Sequence, residues 1–257
     1  MFPTAIYCNG ANAPINDIDI VQRHPLGQRM ILEDGRVFVY AKASGTQIPD
    51  VGSQVGSHQH IANCAIGAVA AKGALSIVLH ASATDGAAHN GLIAKNELVG
   101  GYVVVFPAAT NHAFVRRIVS NSACTISQAN DCTIEVDAPI PVALTTSDTG
   151  EAMASPYLNV KTASSTYASV VGVPAVAATD GTWFWLQTWG VCWIATSAEC
   201  GAGENDRNVV FRYNGSGDEC AYNGTYNTAK AQQAGFILAN AYGGTQGAPF
   251  IMLQISP

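Results

Sequence analysis

Met30-Ile31-Leu32-Glu33, then Asp34-Gly35, then Arg36-Val37-Phe38-Val39-Tyr40, is the stretch that decides the fold class. Its flanks are rich in β-branched and aromatic residues, and Asp-Gly tolerates the positive φ values of a tight hairpin turn. The expectation is a β-hairpin closed by a two-residue type I′ turn. The same grammar recurs along the chain. Strands are expected at Ala74–Ala81, Tyr102–Phe106, Ala113–Val119, Thr133–Val136 and Val142–Thr145. In the second half they are expected at Thr182–Gln187, Val191–Thr196, Val209–Tyr213, Gly235–Asn240 and Pro249–Ile255. Turn residues separate them, among them Asp85-Gly86, Asn90-Gly91, Gly100-Gly101, Thr188-Trp189-Gly190 and Tyr242-Gly243-Gly244.

Helix signals are scarce, the best being short stretches at Pro14–Val21 and Asn227–Gln233. Many short strands with frequent turns predict an all-β protein of the sandwich or barrel type, with few short helices. A polar stretch containing Gly and Pro at Ser147–Ser155, with all four Trp beyond it, suggests two β-rich domains. They are drawn as residues 1–150, with an extended N-terminal arm, and a Trp-rich 151–257.

The 257 residues are long enough for a substantial core, yet only 12% are charged, against roughly 25% in an average soluble domain. The surface must therefore rest largely on Ser, Thr, Asn, Gln, Gly and Ala. Twelve basic residues against 18 acidic ones give a net charge of −6. With no cationic cluster longer than Arg116-Arg117, nucleic-acid binding is not expected, because phosphate neutralisation needs several clustered cations. The apolar stretches around Ile61–Ala81 and Tyr167–Ala178 are interrupted, so no membrane helix and no membrane partner are expected. The first residues lack a basic segment followed by an apolar one, so no secretory leader is read. The seven cysteines are then expected as reduced thiols in a protein made in a cytoplasm.

A search for catalytic chemistry finds none. There is no G-x-S-x-G elbow and no P-loop. Asp148-Thr149-Gly150 matches the short motif of aspartic proteases, but no second copy exists to supply the partner carboxylate, and a linker turn is the better reading. His58-Gln59-His60 would place two imidazoles on one strand face, without a third ligand nearby. No catalytic, cofactor or metal residue is assigned, and the chain is read as non-enzymatic. Trp183, Trp185, Trp189 and Trp193 form the densest aromatic feature. Trp183 and Trp185 should project to one face, as core, as a subunit interface or as a platform for sugar rings.

Two blocks carry a family resemblance. His24-Pro25-Leu26-Gly27 followed by Glu33-Asp34-Gly35-Arg36-Val37-Phe38-Val39-Tyr40-Ala41-Lys42-Ala43 resembles the N-terminal part of structural proteins of tailed bacteriophages. Gly172-Val173-Pro174 followed by Trp183-Phe184-Trp185-Leu186-Gln187-Thr188-Trp189-Gly190 resembles the aromatic hairpin closing the same group of proteins. The order and spacing of the blocks agree as well. The resemblance implies a virion protein, most plausibly a head-decoration (cement) protein made in the bacterial host cytoplasm and placed on the capsid exterior. Its implied partners are the major capsid protein and further copies of itself, as a dimer or trimer.

Strand addition at exposed sheet edges would be the expected mode of contact. The contacts are expected on the two chain ends: the arm Met1–Asp19, through Phe2, Ile6, Ile15 and Ile18, and the last strand, through Phe250, Ile251 and Leu253. The alternative is a carbohydrate-binding module of a tail or fibre, with Trp183, Trp185 and Trp189 as glycan contacts.

Overall fold

The computed structural model describes residues 5–54, 60–88, 90–109, 112–125, 131–162, 168–195, 207–211, 219–221, 231–239 and 250–257. The protein is all-β. In chain order its first strands are β1 (Ala5–Cys8), β2 (Arg29–Leu32), β3 (Val37–Lys42) and β4 (Ser53–Gln54). They are followed by β5 (Ile61–Ala65), β6 (Ser76–His80), β7 (Leu92–Ile93), β8 (Tyr102–Phe106), β9 (Phe114–Asn121), β10 (Cys124–Thr125), β11 (Asp131–Val136) and β12 (Thr149–Met153). The last are β13 (Lys161–Thr162), β14 (Val170–Pro174), β15 (Trp183–Trp193), β16 (Asn208–Phe211), β17 (Glu219–Ala221), β18 (Gln233–Ala239) and β19 (Phe250–Gln254). A 3₁₀ turn, Gly10–Asn12, is capped by Asn9, whose side-chain oxygen accepts the Asn12 N–H at 3.1 Å. Pro14–Val21 is turn and bend rather than helix, and most of the other expected helix, residues 227–230, lies outside the described residues.

The chain divides into two compact units that differ from the division drawn at residue 150. One unit comprises Met1–Gly56 together with Tyr157–Pro257; the other is Ser57–Pro156. The reason is pairing. β3 is bonded along its length to β15, with Tyr40 opposite Trp185, so the first strands belong with the Trp-rich half. The polar stretch expected as a linker instead forms β12, which pairs with β5 on one side and β8 on the other. A local polarity signal cannot distinguish a linker from a strand that buries only alternate residues, and β12 buries Gly150 and Ala152 alone.

In the discontinuous unit the main sheet runs β1-β2-β3-β15-β19-β18-β16-β17, with β14 also paired to β15. β1 pairs in parallel with β2, while the neighbouring pairs along this path are antiparallel. β2 and β3 form the expected hairpin, but not with a type I′ turn. Gly35 has φ 87° whereas Asp34 is not left-handed. The Gly35 N–H reaches the Leu32 carbonyl at 3.0 Å and the Leu32 N–H reaches Arg36 at 2.9 Å. This is a three-residue loop ending in a left-handed glycine.

β3 and β15 are covered on both faces. Met30, Leu32, Phe38, Tyr40 and Trp185 pack on one side, and Ala41, Ala43, Phe184 and Leu186 on the other. β15 also runs through Thr188-Trp189-Gly190, which was expected as a turn. The register shifts between Gln187 and Trp189, and Gly190 takes φ 97° with Arg36 packed against it. The strand thus bends at a bulge instead of reversing.

The continuous unit holds a six-stranded sheet in the order β5-β12-β8-β9-β11-β6, together with the pair β10-β7. The sheet curls until its end strands meet, as Ile66, just past β5, bridges Leu79 of β6. Alternation is clean: β11 exposes Asp131, Thr133 and Glu135 and buries Cys132, Ile134 and Val136. Val142–Thr145 contributes only an isolated bridge, Leu144 to Ala70.

Candidate functional site

The segments 24–43 and 172–190 come together in the discontinuous unit. Register places Trp185 beside Tyr40, and the ring centroids of His24, Tyr40 and Trp185 lie 5.0 to 5.3 Å apart. Edge-on and tilted ring contacts of this kind add to the burial of area. Asp19 closes the cluster. Its backbone exchanges two 2.9 Å hydrogen bonds with Trp183, one carboxylate oxygen accepts the Tyr40 hydroxyl at 2.6 Å, and the other meets Arg23 Nε at 2.7 Å. The Arg23 N–H in turn donates to the Tyr40 oxygen at 3.3 Å. Burial first, then the hydrogen bond to Asp19, pushes the Tyr40 phenol well above its ordinary value. The sequence reading missed Asp19 and Arg23, because an i,i+4 acid–base pair in a segment without helix periodicity carries no signal of its own.

This arrangement decides the fate of the Trp cluster. Trp185 is buried and Trp183 packs against the same cluster, with Lys42 Nζ 5.0 Å from its ring centroid. The shared face foreseen for these two is an inner one, so Trp185 offers no surface to a glycan. Trp189 is half-buried. The indole most open to solvent is that of Trp193, at 41% exposure.

The expected contact residues separate in the same way. Phe2 lies outside the described residues. Ile6 and Ile15 are half-buried against the Phe38–Trp185 cluster, and Ile18 is exposed. The described part of the arm is therefore docked on its own sheet, not free: β1 is the end strand beside β2, with no further strand on its outer side among the described residues. Tyr7 in the arm, and Ile20 and Val21 just past it, are the most exposed large side chains of this region, at 78%, 85% and 67% exposure.

The last strand is corrected more sharply. β19 lies between β15 and β18 and has no open edge, and Ile251 and Leu253 are buried with Val209, Phe211 and Ile194. Only Phe250 faces solvent.

Phe250 and Trp193 are register partners across β15 and β19, and both line an open cleft of about 400 Å³. Val191, Pro174 and Gln187 line it too, with Asp34, Arg36 and Asp50 as its charged groups. Asp34 and Arg36 pair at 2.7 Å across the hairpin loop. Although partial burial acts the other way, hydrogen bonds from Arg36 hold the Asp34 carboxyl below its usual value. Asp50 is left-handed, with φ 60°. It is tied down on both sides, its N–H donating to Pro174 at 3.0 Å and its carbonyl accepting from Ala195 at 2.7 Å. Burial raises its carboxyl.

In the continuous unit, Asp148 is a structural carboxylate. It accepts the N–H groups of Thr145 and Ala108, each at 2.7 Å, and the Thr145 hydroxyl at 3.3 Å. His58 lies outside the described residues; His60 is buried, its Nδ1 accepting the Ala154 N–H and its Nε2 3.4 Å from Glu97. No group of three or more His, Cys, Asp or Glu among the described residues is arranged to hold a metal ion. Cys8, Cys64, Cys124 and Cys132 are free thiols.

The fold and these sites define an all-β protein of two compact units, with β1 as an end strand of its sheet and an aromatic cleft. Compared with protein-family models, curated proteins and solved structures, the chain matches none.

Proposed function

We propose that this chain is a non-enzymatic structural protein of a tailed-phage particle, a cement protein that binds the major capsid protein on the outside of the head and associates with copies of itself. The observation that carries the reading is the edge of β1, which has no further strand beyond it among the described residues and beside which Tyr7 stands exposed. Unpaired N–H and C=O groups on such an edge template a neighbouring strand. Ile20 and Val21 supply exposed apolar surface next to Asp19, which is itself fixed to Trp183. Low charge suits close contacts in a repeating lattice, since few ions have to be desolvated. A protein that binds only the assembled shell stabilises it by mass action.

The test is the copy number of the chain per purified particle, by quantitative mass spectrometry against the major capsid protein. A fixed ratio with hundreds of copies supports the head-lattice role, a few to a few tens of copies moves the protein to the tail or a unique vertex, and absence refutes a virion role. Deleting residues 1–19 would remove β1 and Asp19 from the protein's own sheet, so the contact is better tested with Tyr7→Lys and Ile20→Lys. Both should abolish decoration of shells that lack the protein while leaving the fold intact.

A further inference from the structure

We propose that the cleft between the β2–β3 loop and the β15–β19 pair is a carbohydrate-binding site, in which pyranose rings lie against Trp193 and Phe250 and their hydroxyls bond to Asp34, Arg36 and Asp50. It does not rest on the capsid reading. The cleft volume of about 400 Å³ falls within the roughly 300–1,000 Å³ of small-molecule sites. Its aromatic pair is built into the sheet. Trp193 and Phe250 are opposed across an antiparallel ladder, while Cys192 and Ile251 between them anchor the same strands in the core. Two exposed aromatic rings thus sit on a rigid frame.

The chemistry of the lining selects the ligand class. The C–H-bearing face of a sugar ring matches an aromatic face, and its hydroxyls match carboxylates and a guanidinium, which form charge-assisted hydrogen bonds. Polyanions such as nucleic acid are disfavoured by Asp34 and Asp50 at the cleft and by the net charge of −6. An open cleft leaves one side of the ligand in water, as a chain of sugars requires. The backbone bonds at Asp50 fix its main chain before any ligand arrives, which lowers the ordering cost of binding.

The full chain, fluorescently labelled, is applied to an array of bacterial O-antigen and capsular polysaccharides, together with chito- and malto-oligosaccharides. At least one glycan should be retained and should perturb tryptophan emission. Trp193→Ala, Phe250→Ala and Asp50→Asn should each weaken it about tenfold or more, whereas Tyr7→Ser should leave it unchanged. Circular dichroism checks that each variant is folded. Silence of the wild-type chain across the array overturns the proposal, as does binding that survives both Trp193→Ala and Asp50→Asn. Sedimentation showing that Trp193→Lys converts a dimer to a monomer would also overturn it, since a second copy would then cover the cleft.

Discussion

Tyr40→Phe isolates the hydrogen-bond network from the ring packing where β3 meets β15. The ring stays against His24 and Trp185; what is lost is the 2.6 Å bond to the Asp19 carboxylate and the acceptor for the Arg23 N–H. A hydrogen bond to a charged group contributes about 1.5–3 kcal/mol, so a loss of about 2 kcal/mol is expected, or about 4–8 °C in Tm for a unit of this size. Asp19 keeps Arg23, which prevents the larger penalty of a stranded charge. All four Trp lie in the discontinuous unit, so denaturant unfolding followed by tryptophan emission reports on that unit alone.

The control is Tyr7→Phe, at an exposed hydroxyl, which should change stability by less than about 0.5 kcal/mol. A double-mutant cycle with Asp19→Ala should give a coupling of about 1 kcal/mol or more. The phenol's raised pKa adds a signature. The folded state holds the proton more tightly, so this contribution is complete below the unfolded value near 10 and is lost as pH rises above it; Tyr40→Phe should flatten that alkaline decline. A Tyr40→Phe protein as stable as wild type, with no coupling to Asp19, would refute the reasoning.

Three further outcomes are expected. Gly101→Ala should prevent the continuous unit from folding, because a Cβ there would collide with the Met153 carbonyl oxygen and the Ala154 backbone; loss of dispersed amide NMR signals from residues 60–153 checks it. Asp148 has a lowered pKa because the bonds from Thr145 and Ala108 outweigh its burial. Its contribution is therefore present above the unfolded value of 3.8 and lost as pH falls below it, and Asp148→Ala should remove about 2–3 kcal/mol at neutral pH along with that acid sensitivity, as read by urea unfolding. Burial first, with a neighbouring charge or thiolate adding to it, pushes the thiols of Cys64 and Cys132 up to about 12. Iodoacetamide at neutral pH should leave both unmodified until denaturant is added, as peptide mass mapping would show.

The strand content was legible because it depends on local chemistry. Tyr102–Phe106 alternates exposed and buried residues just as its sequence suggests, and the β2–β3 hairpin follows from its β-rich flanks. What local pattern could not give was partnership. Trp189-Gly190 satisfies the rules for a turn equally well as for a bulge, and only the pairing of β15 with β3 and β19 makes it a bulge. Ile251 and Leu253 have the alternation of an edge strand with one buried face, yet β18 covers the edge that was expected to be free. Asp50 looked like a loop residue; its place in the cleft comes from bonds to Pro174 and Ala195, more than a hundred residues away.

By itself, then, the sequence determined an all-β chain with a weakly charged surface and an aromatic segment at 183–193, because composition, periodicity and turn chemistry act over a few residues. The tertiary structure decided which half of the chain owns the first strands, which tryptophan meets solvent, which strand ends the sheet and which carboxylates share a cleft. These follow from hydrogen-bond pairing and burial between segments far apart in the chain, a choice that no local window contains.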